Sequence, residues 1–176
     1  ATTGQNGLAQ IRDIMGLYAL LDRVMKAYPD LLIEGCSSGG RRMDLEMIKR
    51  SHTYWKSDST NDVALLQFHE TGGETFLPGQ VLNAHTWPND MPYDTDSILG
   101  CPCGFRCDWT KLSPATLDAV REQIELARRV RPLINEDYYA LFPQVRDQST
   151  WIGWQFDSPS QGKGFITWSS PPACSV

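Results

Sequence analysis

The chain has 176 residues, 41% hydrophobic and 21% charged, with a formal net charge of −5. That composition supports a globular domain with a real core, and the acidic balance argues against electrostatic recruitment to nucleic acid or an anionic membrane surface. No apolar run approaches the roughly 20 residues that a bilayer crossing needs.

No charged segment followed by an apolar stretch opens the chain, so a signal peptide is not expected. Five cysteines, an odd number, exclude a fully paired disulfide framework and lean slightly towards a reducing cytoplasm.

Residues Asn6 to Tyr28 predict an amphipathic helix. Leu8, Ile11, Met15, Tyr18, Leu21, Met25 and Tyr28 recur at three- and four-residue steps and share one face. Pro29 stops it, because proline disfavours helix in the residue before it. Leu31 to Gly35 is a short apolar run of the buried parallel-strand kind. The polar, glycine-bearing loop Cys36 to Arg42 follows.

A second cycle repeats this order. Asp44 to Arg50 predicts a short helix, and His52 to Trp55 a strand of β-branched and aromatic residues. Lys56 to Thr60 is again a polar turn. Thr60 or Asn61 can cap a third helix through Val63, Leu66 and Glu70, with Asp62 favoured there by the helix dipole. Phe76 to Pro78 with Val81-Leu82 marks a third strand region, weakened by Pro78.

His85 to Lys111 reads as one long irregular stretch that holds Cys101, Cys103 and Cys107. Thiols at such spacing suit zinc only with a partner pair, and His52, His69 and His85 are scattered. No metal and no cofactor are expected. Ser113 and Pro114 open a clear helix as N-cap and first residue, with Leu117, Val120, Ile124, Ala127 and Val130 on its apolar face. Trp151 to Phe156 and Gly164 to Trp168 then read as two strands of a hairpin.

Helix, strand and polar loop in alternation is the rhythm of a parallel α/β sheet. Chemistry in such folds sits on the loops after the strands, so Cys36–Arg42 and Lys56–Thr60 are the loops to examine.

These two loops carry a resemblance. Ile33-Glu34-Gly35-Cys36-Ser37-Ser38-Gly39-Gly40-Arg41-Arg42-Met43-Asp44 resembles the cysteine–glycine loop of glycoside hydrolase family 36, the clan D family of retaining α-galactosidases and raffinose-synthase-like transglycosidases. Trp55-Lys56-Ser57-Asp58-Ser59-Thr60 is similar to its Trp-x-Ser-Asp-x-Thr segment. Order and separation of the two loops both agree. The flanks Gly16-Leu17-Tyr18, Tyr28-Pro29, Asp137-Tyr138-Tyr139 and Trp151 to Phe156 resemble the family too. Ser38, Arg41 and Asn61 depart from its usual pattern, as does the absence of an evident arginine between Val63 and His69.

The resemblance implies the C-terminal half of a (β/α)8 barrel over residues 1–140 and the start of a β-sandwich over 141–176. It implies Asp58 as general acid/base, with Cys36, Gly39 and Trp55 bordering the sugar pocket. The substrate implied is an α-galactoside oligosaccharide. The family's nucleophile is an aspartate of a Lys-x-Asp segment on the strand before the first helix, and no such segment stands ahead of that helix here.

Other carboxylates are weighed beside Asp58. Glu34 sits in a strand pattern that can turn it to the barrel interior, and Asp44 is expected to pair with Arg41 or Arg42. A non-catalytic sugar-binding half barrel that self-associates to cover its open edges is the competing expectation. A transglycosidase of the raffinose-synthase type and a thiol or metal protein built on the cysteine cluster are further readings. The chain's eighteen aromatic residues (six each of Trp, Tyr and Phe) serve core packing or sugar stacking.

Overall fold

The computed structural model describes residues 7–60, 62–87, 96–144 and 149–170. Helix α1 spans Leu8–Ala27, one residue inside the described boundary, with Gly7 at its N-cap. Its periodic face is only partly covered: Ile11 and Met15 are exposed, Tyr18, Leu21 and Met25 are half-buried, and none of its residues is fully buried. Polar contacts tie it to the rest of the chain. The Tyr18 hydroxyl donates to Asp44, and Asp22 pairs with Arg50.

The sheet begins with β1, Glu34–Gly35, shorter than the Leu31–Gly35 run predicts. Then come α2 (Leu45–Ile48), β2 (Thr53–Trp55) and α3 (Val63–Gly73). Asp44 is not an arginine partner, as the sequence suggested, but the α2 N-cap, accepting from the amides of Glu46 and Met47. The α3 cap is Asp62, accepting from Leu65 N; Thr60 does not serve, and Asn61 lies outside the described residues.

Two strands differ from expectation. Phe76 to Pro78 is not extended into a strand. A 3-10 turn, Gly79–Val81, follows Pro78, and β3 runs over Leu82–Thr86. The stretch after His85 is not wholly irregular: Cys103–Phe105 forms β4. Pro102 removes one ladder donor beside it, but Pro102 O still accepts from Ala84 N, and pairing proceeds.

The four strands pair in parallel in chain order, β1-β2-β3-β4. Leu82 and Ala84 point to the helical side, where they form a core with Leu66, Leu77, Ile98 and Cys101. Burying each large aliphatic side chain contributes about 1.5–3 kcal/mol.

Helix α4, Pro114–Val130, follows with the expected cap, Ser113 accepting from Thr116 N. An antiparallel sheet closes the described chain: β5 (Asp137–Ala140), β6 (Ile152–Ser158) and β7 (Lys163–Ser169), in that order. β5 already belongs to this sheet, so the sheet opens ahead of the expected boundary at 140/141. Its core is Trp154 and Phe156 against Leu133 and Ile134.

The two sheets are tied together. Trp154 Nε1 donates to Leu99 O at 2.8 Å, and the Tyr138 hydroxyl to Thr71 O at 3.1 Å. Gln67 Nε2 reaches both Ser97 and Ser169. Among the described residues no helix is long and apolar enough to cross a membrane.

Candidate active site

Parallel pairing puts register partners on one face of a sheet. Glu34 pairs with Thr53, Trp55 with Asn83, and His85 with Gly104. Glu34, Thr53, Trp55, Asn83 and His85 therefore share the face opposite Leu82 and Ala84. Asn83 Nδ2 donates to Glu34 Oε1 at 2.6 Å. The Trp55 and His85 rings meet edge to face, centroids 4.5 Å apart.

Both loops emerge from the ends of β1 and β2, and they touch. Gly40 N donates to Lys56 O at 3.1 Å. Ser38 and Gly39 both take positive φ, 49° and 76°, and Ser37 N closes the turn onto Gly39 O. Gly39 is buried against the Ser57–Asp58 backbone, while Cys36, on the same loop, presents a free, exposed thiol.

Asp58 is exposed, and its Oδ1 accepts from Trp55 Nε1 at 2.8 Å. Ser57 Oγ accepts from Ser59 N, and Thr60 N donates to Asp58 O, so the short turn is internally bonded. Of the four residues chosen from sequence, the structure joins Trp55 to Asp58 and sets Gly39 against the Asp58 backbone.

Asn83 and His85 were missed, because both fell at or beyond the edge of a strand that Pro78 had obscured. Period-two alternation through Leu82-Asn83-Ala84-His85-Thr86 was the available signal. Burial holds the His85 imidazole below its usual pKa, Glu34 opposing and Arg106 adding to the shift.

Behind the Lys56–Thr60 loop the Lys56 side chain turns the other way. It forms a buried ion pair with Glu70 and donates to Cys101 Sγ at 3.3 Å. Burial pushes the Cys101 thiol up to about 11 and raises Cys103 as well, so both are thiols rather than thiolates at neutral pH. Burial also lifts nearby Glu74 to about 8, with Lys56 opposing. Among the described residues no three His, Cys, Asp or Glu side chains are placed to hold a metal ion.

A parallel βα sheet with an inward polar and aromatic row and a carboxylate on a strand-end loop is the layout of a (β/α)-barrel protein. Residues 2–137 match the Melibiase family model, and the chain belongs to that family.

It is 34% identical over 166 residues to alpha-galactosidase 1 of Pediococcus pentosaceus, covering 88% of this chain and 22% of that protein. An alpha-galactosidase structure from Lactobacillus brevis superimposes with a TM-score of 0.83 at 29% identity, over 97% of this chain and 24% of the other. A variant of alpha-galactosidase AgaA from Geobacillus stearothermophilus, solved with raffinose, shares the fold at a TM-score of 0.76 and 23% identity, over 87% of this chain and 22% of its own.

The chain thus spans between a fifth and a quarter of the length of these relatives. The parallel sheet is an arc of the (β/α)8 barrel, and a separate antiparallel sheet follows it in the chain.

Proposed function

We propose that this chain supplies the acid/base side of a retaining glycoside hydrolase that cleaves terminal α-galactosides. The observation that carries the reading is the Trp55–Asp58 hydrogen bond at the end of β2, in a loop fastened to the Gly39–Gly40 turn. Retaining glycosidases use two carboxylates roughly 5–5.5 Å apart. In this reading Asp58 is one, and the nucleophile comes from a segment outside residues 1–176.

Asp58 gives its proton to the glycosidic oxygen as the bond to the anomeric carbon breaks and the nucleophile's carboxylate bonds to that carbon. In the second half-reaction the Asp58 carboxylate takes a proton from water, whose oxygen bonds to the anomeric carbon as the bond to the nucleophile breaks, and galactose is released. Gly39 and Cys36 border the sugar, and Trp55 fixes the carboxyl. Relatives named alpha-galactosidases and a neighbour solved with raffinose support an α-galactoside oligosaccharide as substrate. The barrel portion proposed over residues 1–140 overlaps β5, whose pairing with β6 in the second sheet favours a boundary just ahead of Asp137.

The test is Asp58→Asn in the full-length protein that carries this segment. Loss of about 10²–10⁴-fold is expected on melibiose or raffinose, whose leaving groups need protonation, and far less on an activated aryl α-galactoside. Equal losses on both substrates would refute the acid role. Galactose-dependent heat in calorimetry without any turnover would instead favour the sugar-binding reading.

A further inference from the structure

We propose that His85 is a positioning residue for the acid, acting through the Trp55 indole to fix which oxygen of Asp58 carries the proton. The proposal rests on the reading of Asp58 as general acid. It extends the site by one strand, from β2 to β3, through a ring contact that the sequence did not expose.

The carboxyl group of an acid has two oxygens, and only one delivers the proton. An indole N–H is a donor and nothing else. Bonded to Oδ1 at 2.8 Å, it holds that oxygen as the acceptor and leaves the proton to Oδ2. The selection lasts only while the indole keeps its orientation. Trp55 lies on β2, half-buried, and one side of its ring faces His85 at a centroid distance of 4.5 Å and an interplanar angle of 77°.

Room for the imidazole is built into the next strand. His85 is in register with Gly104, and a Cβ there would stand 2.8 Å from His85 Cδ2 and 2.9 Å from Nε2. Any side chain at position 104 would push the imidazole out of its place. Gly104, His85, Trp55 and Asp58 thus form one chain of contacts that crosses three strands and ends on the carboxyl. The charged groups that act on the imidazole are Glu34 and Arg106, with opposite effects.

Edge-to-face aromatic pairs carry an energy equivalent to roughly 2- to 12-fold in rate when fully expressed in the transition state. The experiment compares kcat/KM on melibiose and on 4-nitrophenyl α-galactoside for full-length wild type, His85→Ala, Gly104→Ala and Asp58→Asn. The first two single variants perturb the same ring, one by deleting it and one by displacing it.

The expected result is a loss of about 3- to 10-fold on melibiose for both, with the aryl substrate within about twofold of wild type and little change in melting temperature. That is the Asp58→Asn pattern at smaller amplitude. Equal losses on both substrates in His85→Ala and Gly104→Ala, beside a leaving-group pattern in Asp58→Asn, would overturn the positioning role alone. No leaving-group pattern in Asp58→Asn would overturn the acid reading, and this proposal with it.

Discussion

Gly39 lies directly against Ser57: a Cβ on Gly39 would stand 3.1 Å from Ser57 Cα and 3.3 Å from Asp58 N. Its φ of +76° adds a second reason for glycine. The contact is backbone on backbone, so no side-chain rotamer can relieve it.

Gly39→Ala is therefore expected to cost more than a left-handed alanine alone. Gly162 is the internal control, with φ +60° and nothing within 4 Å of its added Cβ. Both alanines incur about 1–2 kcal/mol of backbone strain, and Gly39→Ala adds about 1–3 kcal/mol of overpacking. Equal melting shifts for the two variants would show that the Ser57 contact carries no cost.

Trp55→Phe keeps an aromatic ring for His85 to meet and removes the N–H that Asp58 accepts. The expected outcome is a loss of about tenfold in kcat/KM on melibiose, with the aryl α-galactoside nearly unaffected. A Phe variant indistinguishable from wild type on both substrates would show that the indole N–H does not matter to the role proposed for Asp58.

Lys56 and Glu70 are both buried and paired, so removing either one strands the other. Lys56→Met and Glu70→Leu are each expected to lose about 3–5 kcal/mol in chemical denaturation, and the double variant to recover part of it. Additive losses in the double variant would argue against a direct pair.

Glu74 gives the fold a pH dependence of unusual sign for a carboxylate. Its folded pKa is raised to about 8 from 4.5 by burial, so between those values the folded state binds the extra proton. Its contribution is fully present below about pH 4.5 and is lost as pH rises through about 8. Each unit of the shift is about 1.4 kcal/mol. Glu74→Gln should flatten this fall, so that its melting temperature at pH 9 exceeds that of wild type. A wild-type stability that does not decline between pH 5 and 9, with no gain in Glu74→Gln, would remove the buried neutral carboxyl.

The sequence alone carried those features that depend on near neighbours. The Ser113–Pro114 start of α4, the hairpin β6–β7 and the two polar, serine-bearing loops all rest on local propensity, capping or turn chemistry. The loops that bear Asp58 and Gly39 were legible for the same reason, since a strand-end loop is marked by where apolar alternation stops.

Tertiary structure decided what depends on partners far away in the chain. β4 has three residues and no pattern of its own, and it is a strand because β3 offers it a ladder. Asp44 caps a helix because α2 begins there and Tyr18 reaches it, where sequence proximity to Arg41 and Arg42 had suggested an ion pair. His85 stands thirty residues from Trp55 in sequence, and only parallel pairing of β2 with β3 brings the two rings together. Local chemistry wrote the loops, and long-range pairing, whose closure entropy no short window encodes, assembled the site around them.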